Sequence, residues 1–381
     1  MMNLDLILQK SEFSDEELRF LLGLSDPEDC KKLQKAAFDL TEKCLGNKIV
    51  LCGLIEISNI CTANCRYCGI RKDNHFVDRY TLEKEVIINS ALIAFKKWYG
   101  SIGIQASERR DPKWIKFISE VVTEIHEKTV CPELPNGLGI LLSLGEQTKE
   151  TYQQWANAAG NPSGLGYLLR IESTNQKIFD ALHSTPGKHE KVLINRYLDL
   201  ANLREVGYQL ATGVMIGLPN QTLDDLVQDI RGFQRLDPEI IGMGPYITSR
   251  GGDMVNEGML AKTPLLQLSL NMIAVVRLVL KHVNIVASTS LETIHPDGRI
   301  QGILYGCNIV MPNVTPVANR KAYDLYDSKA HSESGDESDL ALQKSIVDHT
   351  GRELTIHPIN WLSDKKFLTF LNSVDNYLSG I

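Results

Sequence analysis

The chain has 381 residues, of which 43% are hydrophobic and 23% charged, and a formal net charge of -7 at pH 7. That is ordinary globular composition, long enough for one large core, and its acidic balance argues against a nucleic-acid or anionic-membrane partner found by bulk electrostatics. No apolar run reaches the ~18 residues of a membrane span, and the N-terminus lacks the basic segment of a signal peptide, so a cytoplasmic location is expected.

Residues 1–48 read as an N-terminal helical cap that covers one end of the following domain. Ser14-Asp-Glu-Glu17 has the form of a capping box, and Asp26-Pro27 opens a second helix that Gly46 suits as a stop. From residue 49 strand and helix patterns alternate. Strands are expected at 50–58, 101–106, 138–144, 166–172, 209–216, 240–247, 283–288 and 307–311. Helices are expected at 82–98, 112–127, 148–159, 174–182, 189–206, 221–235, 264–281 and near 299–305. Eight β signals with intervening helices predict an α/β fold of the (β/α)8 TIM-barrel type over residues 49–326. The connections 128–137 and 160–164 precede strands and belong to the face opposite the site. A polar acidic run, 327–339, reads as a flexible loop, and 340–381 regains helical periodicity as a C-terminal extension on the barrel exterior.

Three of the eight cysteines cluster, in Cys61-Thr-Ala-Asn-Cys65-Arg-Tyr-Cys68, directly after the first strand. Cys30, Cys44, Cys52, Cys131 and Cys307 are scattered and read as structural thiols in a reducing compartment. A strand feeding three thiols into a tight loop is a place to hold a metal or a cluster. Zinc would want four N or S ligands, and His75 is the nearest further candidate. A 4Fe–4S cluster usually takes four thiolates, and three would leave one iron open. Three reduced structural thiols are the remaining alternative. Tyr67 fills the aromatic slot of the Cys-x3-Cys-x-aromatic-Cys pattern of radical S-adenosylmethionine (SAM) proteins. On that reading the open iron chelates SAM, whose one-electron cleavage gives a 5′-deoxyadenosyl radical.

Polar residues recur where the barrel strands end. Gln105 and Ser107 end the second, Ser143 and Glu146 follow the third, Arg170 and Glu172 the fourth. Gly217-Leu-Pro follows the fifth, Gly244-Pro-Tyr the sixth, Ser288-Thr289 the seventh and Met311-Pro-Asn the eighth. One such residue could be a cap or a turn, but together they ring one mouth. Charge assigns roles: Glu172 suits the SAM ammonium, and the planar fork of Arg196 its carboxylate. Arg170 shares a strand face with Glu172 and suits an anionic substrate group. Gly217 would let backbone approach the adenine.

These segments resemble the radical-SAM maturases of FeFe-hydrogenase, the HydE type, from about Ile55 to Tyr326. The most specific are Glu56-Ile-Ser-Asn-Ile-Cys61, Tyr167-Leu-Leu-Arg-Ile-Glu172, Met215-Ile-Gly-Leu-Pro-Asn-Gln-Thr222 and Val310-Met-Pro-Asn-Val-Thr-Pro316. The resemblance implies a radical SAM barrel with cluster and SAM at one end of an internal cavity. It implies cluster binding by Cys61, Cys65 and Cys68, and SAM contacts from Ser143, Glu172 and Arg196, to which Tyr67 and Gln105 are added as cofactor-binding candidates. It also implies a small-molecule substrate, an iron–cysteine complex carrying carbonyl and cyanide. Arg170 and Thr289 are the catalytic candidates on that side, with Arg71, Ser288, Tyr323 and Tyr326 nearby. A low-potential electron donor and other hydrogenase maturation proteins are the implied partners.

Three departures qualify the match. The stretch 327–339 has no cysteine, so one cluster is expected and no auxiliary one. The second strand ends Gln-Ala-Ser-Glu-Arg-Arg110 where Gln-Ser-Gly-Glu-Asp is expected, and Ile171 stands where the family has His. Rival readings on the same barrel are a methylornithine synthase and a biotin synthase, the latter needing further clustered cysteines. A non-enzymatic Fe–S electron carrier and a zinc-stabilised binding module are rivals of other classes.

Overall fold

The computed structural model describes residues 2–132, 134–160, 164–183, 191–254, 259–330 and 336–355, the last group by backbone alone over 336–339. It opens with three helices, α1 Leu4–Ile7, α2 Asp15–Leu22 and α3 Pro27–Leu45. The capping box of α2 is present: Ser14 Oγ accepts from the Glu17 N–H at 3.2 Å, and the Glu17 carboxylate accepts from the Ser14 N–H at 2.9 Å. Pro27 occupies the first position of α3 behind an Asp26 cap.

The strands are β1 Lys48–Ser58, β2 Ser101–Ala106, β3 Gly139–Ser143, β4 Leu165–Leu168, β5 Gln209–Thr212, β6 Met215–Ile216, β7 Ile240–Ile241, β8 Gly244–Pro245, β9 Asn284–Ile285, β10 Ile309–Val310 and β11 Glu353–Thr355. Between them run α4 Lys84–Lys96, α5 Pro112–Thr129, α6 Lys149–Ala158, α7 Gln176–His183, α8 Leu193–Val206, α9 Leu223–Leu236, α10 Lys262–Val279, α11 Thr289–Ile294, α12 Gly298–Leu304, α13 Val317–Arg320 and α14 Asp336–Thr350. The sheet order β10-β1-β2-β3-β4-β5-β7-β9 is parallel throughout. Val286, just after β9, bridges Ile309, and the Ala287 N–H donates to the Ile309 carbonyl at 2.9 Å, so the curled sheet returns to β10 and closes. This is the (β/α)8 barrel expected from the alternation.

Side-chain parity explains where the site lies. Alternate residues of a strand share a face. Low in the barrel the inner column is apolar: Cys52, Leu141, Ala211, Ile240, Val286 and Ile309 form one small core. Two or four residues further on, the same columns reach Glu56 on β1 and Ser143 on β3, while β2 contributes Gln105, paired in register with both Glu56 and Ser143. The floor is therefore hydrophobic and the C-terminal mouth polar, as barrels of this class arrange their sites.

Several expectations are corrected. The strand expected at 166–172 stops at Leu168; beyond it Glu172 takes φ +67 and keeps only an isolated parallel bridge to Val214. Those expected at 209–216 and 240–247 each break in two, and β6 pairs with β8 as a separate two-stranded piece above the ring. The C-terminal part is not purely helical: β11 follows α14 and pairs in parallel with the start of β1. Residues 356–381 and 331–335 lie outside the described residues. The expected loop is anchored over its first residues, since the Asp327 N–H donates to the Thr248 carbonyl at 2.9 Å and Lys329 is buried. The N-terminal helices pack on α9, α10 and α12: Arg231 Nε donates to Asp15 at 2.8 Å, and Asn271 Nδ2 to the Leu24 carbonyl at 2.8 Å.

Candidate active site

A cavity of about 260 Å³ opens at the polar mouth. Cys61, Cys65 and Cys68 line it together with Tyr67, Gln105, Ser143, Arg170, Glu172 and Arg196. Residues from the cysteine loop, β2, β3, the segment after β4 and α8 thus converge on a single space.

The cysteine loop follows β1 and turns sharply. The Cys68 N–H donates to the Cys65 carbonyl at 3.1 Å, and the Ala63 N–H to Cys61 Sγ at 3.4 Å. Burial raises all three thiols, Cys65 to about 11, and neighbouring thiols raise Cys65 and Cys68 further. Among the described residues no three His, Cys, Asp or Glu side chains converge tightly enough to hold a single metal ion. The thiols instead face one cavity as separate soft donors, the arrangement that three corners of a cubane would use. His75 is exposed and does not line this cavity. Gly69 allows the loop to seat: a Cβ there would lie 2.2 Å from the Asp324 carbonyl oxygen.

Glu172 is buried opposite the loop. The Tyr67 hydroxyl donates to its Oε1 at 3.3 Å, and Arg170 Nη2 stands 3.1 Å from its Oε2. That second approach is an ion-pair distance without a directed hydrogen bond, and both Glu172 Oε2 and Arg170 Nε are buried without a hydrogen-bond partner. A buried, unsatisfied acceptor facing a cavity is a place for a ligand donor. Arg170 Nη2 also donates to the Val214 carbonyl at 2.8 Å, which fixes the guanidinium beside Glu172.

A charge network that local sequence patterns did not reveal forms the adjoining wall. Arg196 pairs with Glu146 at 2.8 Å, and Lys191 stands 2.5 Å from Glu108 and 3.3 Å from Glu146. Arg110 approaches the same two carboxylates at 3.1 and 3.4 Å. Burial alone would raise Glu146, but Lys191 and Arg196 beside it bring it down to about 2. Burial, the largest single influence, likewise opposes the Lys191 charge, but Glu108, Cys65 and Glu146 together outweigh it and raise its pKa, so the ammonium is held. Its place after the third strand marks Glu146 in the sequence, whereas no local pattern marks Lys191 or Glu108.

Not every candidate reaches the cavity. Thr289 is not on its wall; its hydroxyl accepts from Arg299 Nη2 at 3.2 Å, and Ser288 and Ser290 line the cavity in its place. Those two serines share a 2.9 Å hydrogen bond above Gly244, where a Cβ would lie 2.3 and 2.4 Å from their oxygens. Arg71 is turned to Asp253, 2.9 Å away, and Gly217 packs its turn on Leu265. Tyr323 and Tyr326 both line the cavity.

No family model matches the chain. The chain is 33% identical to the [FeFe] hydrogenase maturase subunit HydE of Thermotoga maritima, over 91% of its own length and 93% of the relative's. It is 26% identical to a 3-methylornithine synthase of Methanosarcina acetivorans, covering 80% of each. Among solved structures, methylornithine synthase (PylB) superposes with a TM-score of 0.73 at 19% identity, over 92% of this chain and 97% of that one. The hydrogenase maturase HydG superposes with a TM-score of 0.74 at 19% identity, over 97% and 80%. Barrel, cysteine loop and relatives together define a radical SAM enzyme. Within that class, the chain belongs to the HydE family of [FeFe] hydrogenase maturases.

Proposed function

We propose that this enzyme binds one 4Fe–4S cluster on Cys61, Cys65 and Cys68, holds SAM beside it, and acts in [FeFe]-hydrogenase active-site maturation. One observation carries the reading: the three thiols line the same cavity as a buried, unsatisfied carboxylate oxygen of Glu172 and the guanidinium of Arg196. The chemistry that cluster and SAM supply when bound is one-electron cleavage of SAM to methionine and a 5′-deoxyadenosyl radical.

The chain's own residues orient that chemistry. Glu172 accepts the SAM ammonium, and Tyr67 holds the carboxylate in place from the cluster loop. Arg196, fixed by Glu146, meets the SAM carboxylate with its remaining donors. Gln105 and Ser143, neighbours across β2 and β3, offer an amide and a hydroxyl at the same wall. Arg170 and the Ser288–Ser290 pair face the part of the cavity left for a second ligand, and both suit a cysteine-like carboxylate. Thr289 contributes through Arg299 and the start of α11, not by contact.

The small-molecule substrate on this reading is an iron–cysteine complex carrying carbonyl and cyanide. A low-potential electron donor and other hydrogenase maturation proteins are the partners, in the cytoplasm. Among the described residues no helix is long and apolar enough to cross a membrane. The similarity to methylornithine synthase supports a second reading, in which lysine occupies the same space. Incubating the reduced, reconstituted enzyme with SAM and either the iron–cysteine complex or lysine separates the two. A 5′-deoxyadenosine–cysteine sulfur adduct is the expected product; methylornithine would replace the first reading with the second.

A further inference from the structure

The stretch 323–330 supplies Tyr323, Leu325 and Tyr326 to the cavity wall, and it is tied to the cysteine-bearing end of β1 in two ways. The first tie is backbone. The Gly69 N–H of the cysteine loop donates to the Leu325 carbonyl at 2.8 Å, in the close approach that only glycine permits. The second is a buried charge pair. Lys329 Nζ pairs with the carboxylate of Glu56, with side chains 7% and 1% exposed. Glu56 precedes Cys61 by five residues.

Lys329 has further partners besides the Glu56 carboxylate. Its ammonium also donates to the Tyr323 carbonyl at 2.9 Å and lies 5.1 Å from the centre of the Tyr323 ring. The other Glu56 oxygen accepts from Asn313 Nδ2 at 3.0 Å, at the end of the eighth barrel strand. Ser328, immediately before, holds φ +57. That conformation is uncommon for a residue other than glycine and persists where surroundings impose it. Here it accompanies a chain that turns a lysine inward from an exposed position.

A buried ion pair is a poor way to gain stability, because desolvation offsets the attraction, and its best-attested use is to fix one arrangement among several. We propose that Lys329 is a positioning residue. Through Glu56 it holds Tyr323 and Tyr326 in register with the cysteine loop, and so sets affinity for the second ligand and not for SAM. This rests on the reading that SAM and a second ligand share the cavity.

Lys329→Met alone would strand the Glu56 charge and risk misfolding. The test therefore uses Lys329→Met combined with Glu56→Gln, alongside Lys329→Arg alone. The probe is an iron(II)–cysteine complex carrying carbonyl and cyanide, with 5′-deoxyadenosine formation as readout. The double variant should raise KM for the complex about tenfold or more, change kcat much less, and leave SAM affinity within about threefold, while Lys329→Arg recovers most of the loss. KM within about twofold of wild type would overturn the proposal. Should the wild-type enzyme form no 5′-deoxyadenosine at all, the functional reading fails and hydrogen exchange still decides this one. Backbone amides of 323–330 should exchange about tenfold faster in the double variant, and unchanged protection would overturn the positioning role.

Discussion

Arg196 of the cavity wall forms a buried pair with Glu146, whose Oε1 lies 2.8 Å from both Nε and Nη2 of the guanidinium. Nη1 of the same guanidinium donates to the Arg170 carbonyl, so the fork is anchored on two sides before any ligand arrives. A preorganised fork of this kind recognises a carboxylate at little cost in side-chain entropy. Replacing Arg196 by Lys keeps the charge and loses the fork. One charge-assisted hydrogen bond is worth roughly 1.5–3 kcal/mol, so SAM binding should weaken about ten- to a hundredfold with iron content unchanged. Glu146→Gln should move SAM affinity in the same direction by releasing the fork. Equilibrium SAM binding to each reconstituted variant checks both.

The same pair sets a pH expectation. The folded Glu146 titrates at about 2, below its ordinary 4.5. A carboxyl depressed in the folded state stabilises it above the unfolded value and loses that contribution only as pH falls through the folded value. The stabilisation is therefore constant from neutral pH down to about 4.5 and fades between there and about 2, while the folded carboxylate itself stays ionised until pH nears 2. Stability measured at pH 5 to 7 should show no step from this group.

Asp229 behaves in the opposite sense. It is fully buried on α9, and its Oδ1 accepts from both the N–H and the hydroxyl of Thr174, each at 2.7 Å, while Oδ2 has no hydrogen-bond partner. Burial raises its carboxyl to about 7 despite those two donors. The folded acid then holds its proton more tightly than the unfolded chain does. Its contribution is fully present below about pH 4 and is lost as pH rises through about 7. Asp229→Asn keeps an acceptor for Thr174 and removes the charge. Thermal melts of the cluster-free protein should show the variant gaining a few degrees over wild type at pH 8 and little at pH 5. Equal melting profiles at both pH values would contradict the assignment.

What the sequence made legible is the part with local periodicity. Alternation in β1, helix caps at Ser14 and Asp26, and three cysteines after a strand all sit within a few residues of their cause. The pairs that finish the cavity have no such signature. Lys191 and Glu108 are 83 residues apart, and Lys329 and Glu56 are 273 apart. Each lysine lies outside a helix or strand, so no period marks its inward direction. Thr289 illustrates the limit of strand phase: β9 ends at Ile285 and α11 starts at Thr289, so the strand pattern does not carry through, and the extended cap residue Ser288 and Ser290 line the cavity while Thr289 does not. β11 is only three residues long and follows a helix, which is too little alternation to mark a strand.

The cysteines divide by position. Cys61→Ser removes a donor from the cavity and should abolish an intact cluster, since two thiolates are too few to hold a cubane. Cys131 lies in the turn after α5, where its N–H and carbonyl pair with Leu134, away from the cavity. Cys131→Ser should leave iron content and activity near wild type. Iron and sulfide analysis of both variants, reconstituted side by side, checks the contrast.

The central claim, a single redox-active cluster that engages SAM, is tested most directly by electron paramagnetic resonance of the anaerobically reconstituted enzyme, with iron counted on the same sample. About four iron per chain are expected, with a reduced-state signal that changes when SAM is added. Tightly bound zinc without iron, about eight iron per chain, or a signal indifferent to SAM would contradict it.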